Sequence, residues 1–223
     1  MTDFAAARLN MVESQIRCSG VTERRLIDAL QAVPRELFVP AERQGFAYMD
    51  DCIRVKDAAA GSPARYLMEP RAFAKLVHLA EVREGDVVLD VGCATGYSTA
   101  ILARLANSVV ALENDPELVE KASANLAALE IHNVAVLAGS LPEGQPKQGP
   151  YDVIVLNGAV DHVPSALLDQ LAEGGRLVAV VGKGPAGRGF VYLKSDGRIS
   201  KRDDFDALVE ALPGFEAVDA FVF

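Results

Sequence analysis

Residues 89–98, LDVGCATGYS, form an apolar run that ends in a glycine-punctuated turn. Small residues at Gly92, Ala94 and Gly96 let the main chain approach a ligand closely. Two phosphate chemistries use such turns. A nucleotide-phosphate loop needs Lys and then Ser or Thr after its last glycine, whereas Gly96 is followed by Tyr97 and Ser98. A dinucleotide turn needs glycines at its first, third and sixth positions; counted from Gly92 these are Gly92, Ala94 and Tyr97. Tyr97 stands where a glycine would let strand and helix pack closely, which demotes a nicotinamide enzyme.

A second acid sharpens the choice. VVALEN ends a further apolar run at Glu113, 21 residues beyond Gly92. A carboxylate there can accept both hydroxyls of a ribose, the task it performs in dinucleotide folds. The pattern acid-x-Gly-x-Ala-x-Gly over Asp90, Gly92, Ala94 and Gly96 resembles motif I of class I S-adenosylmethionine (SAM)-dependent methyltransferases. The chemistry agrees. SAM lacks a phosphate, but its methionine end carries a carboxylate that backbone N–H groups at a turn and helix start can receive. Asp90 can hold the ammonium. The expected cofactor contacts are Asp90, Gly92, Cys93, Ala94, Thr95, Gly96, Tyr97 and Ser98 around the methionine end, with Glu113 and Asn114 at the ribose. Gly139, Ser140 and Leu141 are expected near adenine, Ser140 taking the place where many such enzymes have an acid. Asn157 ends the fourth strand of this alternation and faces the same crevice.

These residues need a scaffold, and the hydrophobic pattern supplies it. From residue 86, apolar β-branched runs (DVVLDV, SVVAL, NVAVLA, YDVIVL, GRLVAVV) alternate with helical stretches near 97–105, 116–129 and 164–172. Such alternation implies a parallel sheet covered by helices on both faces. GFVYLK and RISK flank Ser195-Asp196-Gly197 and read as a hairpin. A helix near 203–212 and a last strand, AVDAFVF, complete the expectation. The first 80 residues read as helix and irregular cover. Phe4–Arg17 has helical spacing and stops near Gly20; Thr22 can cap a second helix, and Pro70 can open a third. We therefore expect a helical and loop cap over 1–80 and a Rossmann-like core over 81–223.

Composition excludes several classes. The chain has 223 residues and a net charge of −9, which argues against nucleic acid. No stretch approaches the roughly 18 apolar residues of a membrane span, and Asp3, Arg8 and Glu13 interrupt any leader-like run. The reading is cytoplasmic, with Cys18, Cys52 and Cys93 as buried free thiols and no metal-ligand spacing among His78, His132 and His162. Charge is uneven: residues 1–83 sum to +1 and the rest to −10. Arg54, Lys56, Arg65, Arg71 and Lys75 fall within 22 residues, either as a solvated surface or as a site for an anion.

PRELFVP at 34–40 and FAYMDD at 46–51 narrow the resemblance, together with LDVGCATGYSTAILA, YDVIVLNGA and LAEGGRLVAVVG in order. The chain resembles protein-L-isoaspartate O-methyltransferases along nearly its whole length. The resemblance implies a seven-stranded, mainly parallel sheet with an N-terminal cap. It also implies SAM as methyl donor, S-adenosyl-L-homocysteine as product, and the α-carboxylate of isoaspartyl proteins or peptides as acceptor. Such an acceptor is already anionic at pH 7, so no general base is needed. One motif departs. The family's Thr-Ile-Ser-Gln-Pro is Tyr66-Leu67-Met68-Glu69-Pro70 here, which puts a thioether and a carboxylate at the acceptor. Tyr66, Met68 and Glu69 are the acceptor-site positions; Tyr66 can supply a hydroxyl, and Arg65 or Arg71 could receive an anion. The alternatives are a methyltransferase for another acceptor, such as a small anion, or a non-catalytic SAM-binding protein.

Overall fold

The computed structural model describes residues 3–59, 62–182 and 186–216. Five apolar runs become parallel strands: β3 (Val87–Val91), β4 (Ser108–Glu113), β5 (Val134–Ala138), β6 (Tyr151–Val160) and β7 (Leu171–Val181). The hairpin strands β8 (Ala186–Ser195) and β9 (Arg198–Leu208) extend the sheet antiparallel, giving the order β5-β4-β3-β6-β7-β8-β9. The Asp196-Gly197 turn has positive φ at both residues, the twist that a two-residue hairpin requires. Strand order reverses at β3, whose neighbours are β4 and β6. In such sheets ligands lie beyond the strand carboxyl ends at the reversal.

Helices cover the faces. α3 (Pro70–Ala80) opens on Pro70, whose missing N–H costs nothing in a first turn. α4 (Tyr97–Ala103) follows the glycine turn and α5 (Pro116–Ala128) starts on an Asp115 cap; α6 (Ser165–Asp169) is short. The first 80 residues hold α1 (Phe4–Met11), which runs on through a wider turn to Gly20, and α2 (Arg24–Ala32). Glu23, not Thr22, caps α2, because its longer side chain reaches the amides of Arg25 and Leu26. The cover that followed was expected to be irregular. It contains a two-stranded strap, β1 (Ile53–Lys56) paired antiparallel with β2 (Arg65–Leu67).

Cap and sheet share one core. Tyr97 is fully enclosed, edge-on to Phe38 at 5.6 Å and 5.9 Å from Phe73, with the Arg35 guanidinium 4.6 Å above its ring. At the opposite end of the sheet Arg176 of β7 binds four groups on three segments. Its nitrogens donate to the carbonyls of Ala80, Glu81 and Asp152 and to the Asp86 carboxylate, the last at 2.6 Å.

Two further expectations fail. No helix forms at 203–212; β9 continues to Leu208 because β8 offers it a ladder from Ser195 back to Ala186. Phe205, Ala207 and Val209 are buried while Asp206 and Leu208 are exposed, a two-residue period. Of the three free cysteines only Cys93 is buried; Cys52 is half-buried and Cys18 exposed. The expected strand AVDAFVF lies outside the described residues. Among the described residues no helix is long and apolar enough to cross a membrane.

Candidate functional site

The turn after β3 is built from backbone that side chains seldom adopt. Gly92, Ala94 and Gly96 have φ of +76°, +50° and +94°. A Cβ on Gly92 would lie 2.5 Å from the Leu212 side chain, and one on Gly96 would lie 3.3 Å from Ala122. Ala94, with a Cβ, holds a left-handed conformation that costs about 1–2 kcal/mol. The surroundings enforce it. The amides of Gly92 and Cys93 donate to Leu112 O, Gly96 N–H donates to Cys93 O, and Thr95 donates its hydroxyl to Phe38 O. Four of the amides expected to face a ligand carboxylate, those of Gly92, Cys93, Ala94 and Gly96, are thus bound within the chain.

Asp90 and Glu113 stand at adjacent strand ends, both fully buried. Asp90 does not reach an open surface. It accepts hydrogen bonds from Ser98 (2.8 Å), Thr99 and Asn157, and burial in neutral surroundings pushes its carboxyl up to about 6 against those bonds. Asn157 also donates to Val91 O at 3.2 Å. Asp90 therefore ties β3, α4 and β6 together. Glu113 is satisfied by charge. Its Oε1 accepts from Arg65 Nη1 and from the amides of Asn114 (2.9 Å) and Asp115 (3.2 Å). Its Oε2 accepts from Arg65 Nη2 at 2.9 Å and from Ala94 N–H at 2.8 Å.

Four of the five cations between 54 and 75 are thus spent on the chain's own acids, and the fifth lies over a ring. Arg65, 3% exposed, is locked on Glu113 and Asn114. Lys56 holds Asp115 at 2.6 Å and Glu117 at 2.8 Å, Arg54 pairs with Asp57, and Lys75 lies 4.5 Å over Phe205. Arg71 binds Asp50 at 3.0 Å and approaches Glu69 at 3.5 Å. The expectation that Arg65 or Arg71 stands ready for an anion is corrected: their anions are Glu113 and Asp50.

Tyr66 and Met68 meet the glycine turn. With Arg35, Gly92, Ser98 and Asn157 they line a cavity of about 10 Å³. Met68 is buried, and its carbonyl accepts from Arg35 Nη2 at 2.8 Å. Glu69 is 6% exposed and precedes α3 without a capping bond from its side chain; burial, then the nearby Asp50 charge, raises its carboxyl above the usual range. Cys93 lines the same cavity, its thiol pushed up by burial. Leu141 is buried, Gly139 donates its N–H to Glu113 O, and Ser140 is exposed. The structure thus gathers the turn, Glu113, Asn157, Tyr66 and Met68 at one strand-end crevice. It leaves the Ser140 side chain on the surface.

Two residues there escaped the sequence reading. Arg35 reads as one charge in a loop motif, and nothing local signals its burial. Leu212 comes from a segment that crosses the same crevice: Ala159 N–H donates to Glu210 O at 2.9 Å and Leu212 N–H to Ala159 O at 2.8 Å. That crossing depends on a parallel bridge between Ala159 and Ala211, which no periodicity announces.

Comparison with known proteins bears on this geometry. The family described as "Protein-L-isoaspartate(D-aspartate) O-methyltransferase (PCMT)" matches residues 7–209. A protein-L-isoaspartate O-methyltransferase of Methylorubrum populi is 38% identical, over 91% of this chain and 92% of its own. Those of Koribacter versatilis and Methanoculleus marisnigri are each 35% identical, over 92% and 86% of this chain and 90% and 84% of theirs. A solved protein-L-isoaspartate O-methyltransferase superposes with a TM-score of 0.81 at 26% identity, over 93% of this chain and 66% of that one. A Plasmodium falciparum beta-aspartate methyltransferase solved in complex with S-adenosyl-L-homocysteine shares the fold, with a TM-score of 0.76 at 20% identity over 95% of this chain and 99% of that one. A dinucleotide-binding dehydrogenase is thereby set aside, and the chain belongs to the protein-L-isoaspartate(D-aspartate) O-methyltransferase family.

Proposed function

We propose that this chain is a SAM-dependent carboxyl methyltransferase acting on the α-carboxylate of isoaspartyl residues in proteins or peptides. The observation that carries the reading is the family match over 7–209, joined to a buried acid at the end of β4 beside the glycine turn. The donor set fits the cofactor in kind. Glu113 can accept two ribose hydroxyls, Asn114 and the Gly139–Leu141 main chain lie beside the nucleoside end, and the small turn residues let backbone lie against the methionine end. Space fits only after rearrangement. Ligand pockets of this kind run to roughly 300–1,000 Å³, far above the inner cavity.

SAM, when bound, supplies a methyl group on a sulfonium. The chain's own task is orientation and the exclusion of water. The acceptor carboxylate is anionic at pH 7 and is its own nucleophile, so holding it in line supplies most of the catalysis. In this reading residues 1–80 form the cap and 81–223 the core. Tyr66, Met68 and Glu69 face the acceptor from β2 and the start of α3. The acidic net charge is a poor match for nucleic acid, and the free thiols suit a reducing cytoplasm.

A second reading is favoured by one feature. Met68 has no hydroxyl, Glu69 carries a carboxyl, and Arg71 is tied to Asp50, so the segment offers little to an anionic acceptor. An acceptor other than isoaspartate, or SAM binding without transfer, follows from it. The deciding experiment is transfer of labelled methyl to an isoaspartyl peptide and to its aspartyl twin. Selective labelling of the first is the expected result. No label, with cofactor binding demonstrated in the same sample, overturns the repair reading. Met68→Ser with Glu69→Gln should then raise transfer if the rest of the acceptor pocket is intact.

A further inference from the structure

We infer that Arg65 occupies the place of the ribose diol on Glu113, so that cofactor binding requires an arginine of the chain's own to be displaced. This rests on the reading of Glu113 as the ribose carboxylate. A carboxylate offers about four lone-pair sites, and Glu113 already receives five donors. Three of these are amides of the turn and of residues 114–115, fixed by the fold. The other two come from the Arg65 fork, one N–H on each oxygen. Two hydroxyls of a ribose need one place on each oxygen. Arg65 holds both, and the two occupancies are mutually exclusive.

The surroundings agree. Arg65 lies on β2, and the strap it belongs to is pinned a second time through Lys56, which bonds Asp115 and Glu117. Outside the ion pair is a cavity of about 470 Å³ whose lining includes Lys56, Pro63, Arg65 and Asn114. Inside it, Tyr66 and Met68 close on Gly92 and leave about 10 Å³. Withdrawal of the guanidinium opens the outer cavity toward Glu113 and frees both of its oxygens. Arg65 and the ligand therefore compete for one carboxylate, and the residue sets cofactor affinity without taking part in transfer.

The test uses the full-length protein with S-adenosyl-L-homocysteine as probe, by calorimetry and stopped-flow. In the wild type the observed binding rate should level off with ligand concentration, because opening precedes binding. Arg65→Gln should bind the probe at least ten-fold more tightly, with a rate that rises linearly over the same range, and Arg65→Lys should fall between. The gain from Arg65→Gln should shrink with the 2′-deoxy form of the probe, which lacks one hydroxyl. Equal affinities in wild type and Arg65→Gln, or a weaker variant, overturn the inference while leaving the cofactor reading intact. Should Arg65→Gln not fold, the wild-type rate decides alone: a linear dependence without levelling overturns the proposal. Folded wild type and variant that both ignore the probe and SAM overturn the cofactor reading itself.

Discussion

The ends of β3 and β4 hold the same problem, a carboxylate enclosed by protein, and solve it in different ways. Asp90 is surrounded by neutral donors from Ser98, Thr99 and Asn157, and burial keeps its proton on to about pH 6. Glu113 is matched by a guanidinium and three amides. Neutral donors make a permanent joint. A charged partner brought by a separate strap makes a joint that can be exchanged, because the partner can leave with its own backbone. The fold has therefore placed a fixed acid beside a tradable one at the point where its strand order reverses.

The largest effect should come from breaking the charged side. Glu113→Ala leaves Arg65 buried without a counter-ion, which costs about 3–5 kcal/mol. At about 2–4 °C per kcal/mol for a domain of this size, thermal unfolding should fall by about 10 °C. Adding Arg65→Ala should restore much of that loss, and a double variant no more stable than the single one would show that the two side chains are not coupled.

Next is the neutral side, read through pH. A folded-state value near 6 lies above the unfolded value near 3.8, so the native protein holds the Asp90 proton more tightly. Stability from this group is full below about pH 4 and falls as pH rises to about 6. At about 1.4 kcal/mol per unit, the loss over that window approaches about 3 kcal/mol. Asp90→Asn removes the titration, so the difference between variant and wild type in denaturant unfolding should grow in the variant's favour from pH 4 to pH 6. A flat difference would show that Asp90 does not titrate in that window.

Smaller effects sharpen the contrast. Ala94→Gly relieves the left-handed strain at the residue whose amide holds Glu113 Oε2 and should raise stability by about 0.5 kcal/mol. Lys56→Ala removes the outer tie of the strap. With the lysine partly exposed, the expected cost is about 0.5 kcal/mol, vanishing at high salt, where the Arg65 joint persists.

Much of the parallel core was legible because buried parallel strands are apolar on both faces and the turn between β3 and α4 needs small residues. The place of Glu113 at the end of β4 was legible from spacing, since the length of one strand-helix-strand unit fixes where the second acid falls. Its partner was not. Arg65 lies 48 residues upstream, and the docking of a cap onto a sheet leaves no period in either segment. The stretch FDALVEAL satisfies two periods at once. Phe205, Leu208, Val209 and Leu212 make a helical stripe, while Phe205, Ala207 and Val209 alternate as in a strand; only the neighbouring β8 decides between them. Asp90 was seen as a ligand contact because sequence shows a strand-end acid without the Ser98, Thr99 and Asn157 that surround it.

Arg176 bears on the same comparison from the other end of the sheet. One guanidinium joins the end of α3, the turn before β3 and the start of β6, all at the strands' amino ends. The molecule is thus rooted at one pole and hinged at the other. The bonds of Arg176 join elements of the sheet core to one another, whereas those of Arg65 and Lys56 join a two-stranded strap to the sheet and can break without opening that core. Amide exchange should follow that gradient, slowest around Arg176 and fastest along β1 and β2, and the cofactor would enter where the fold is loosest because its opposite pole does not give.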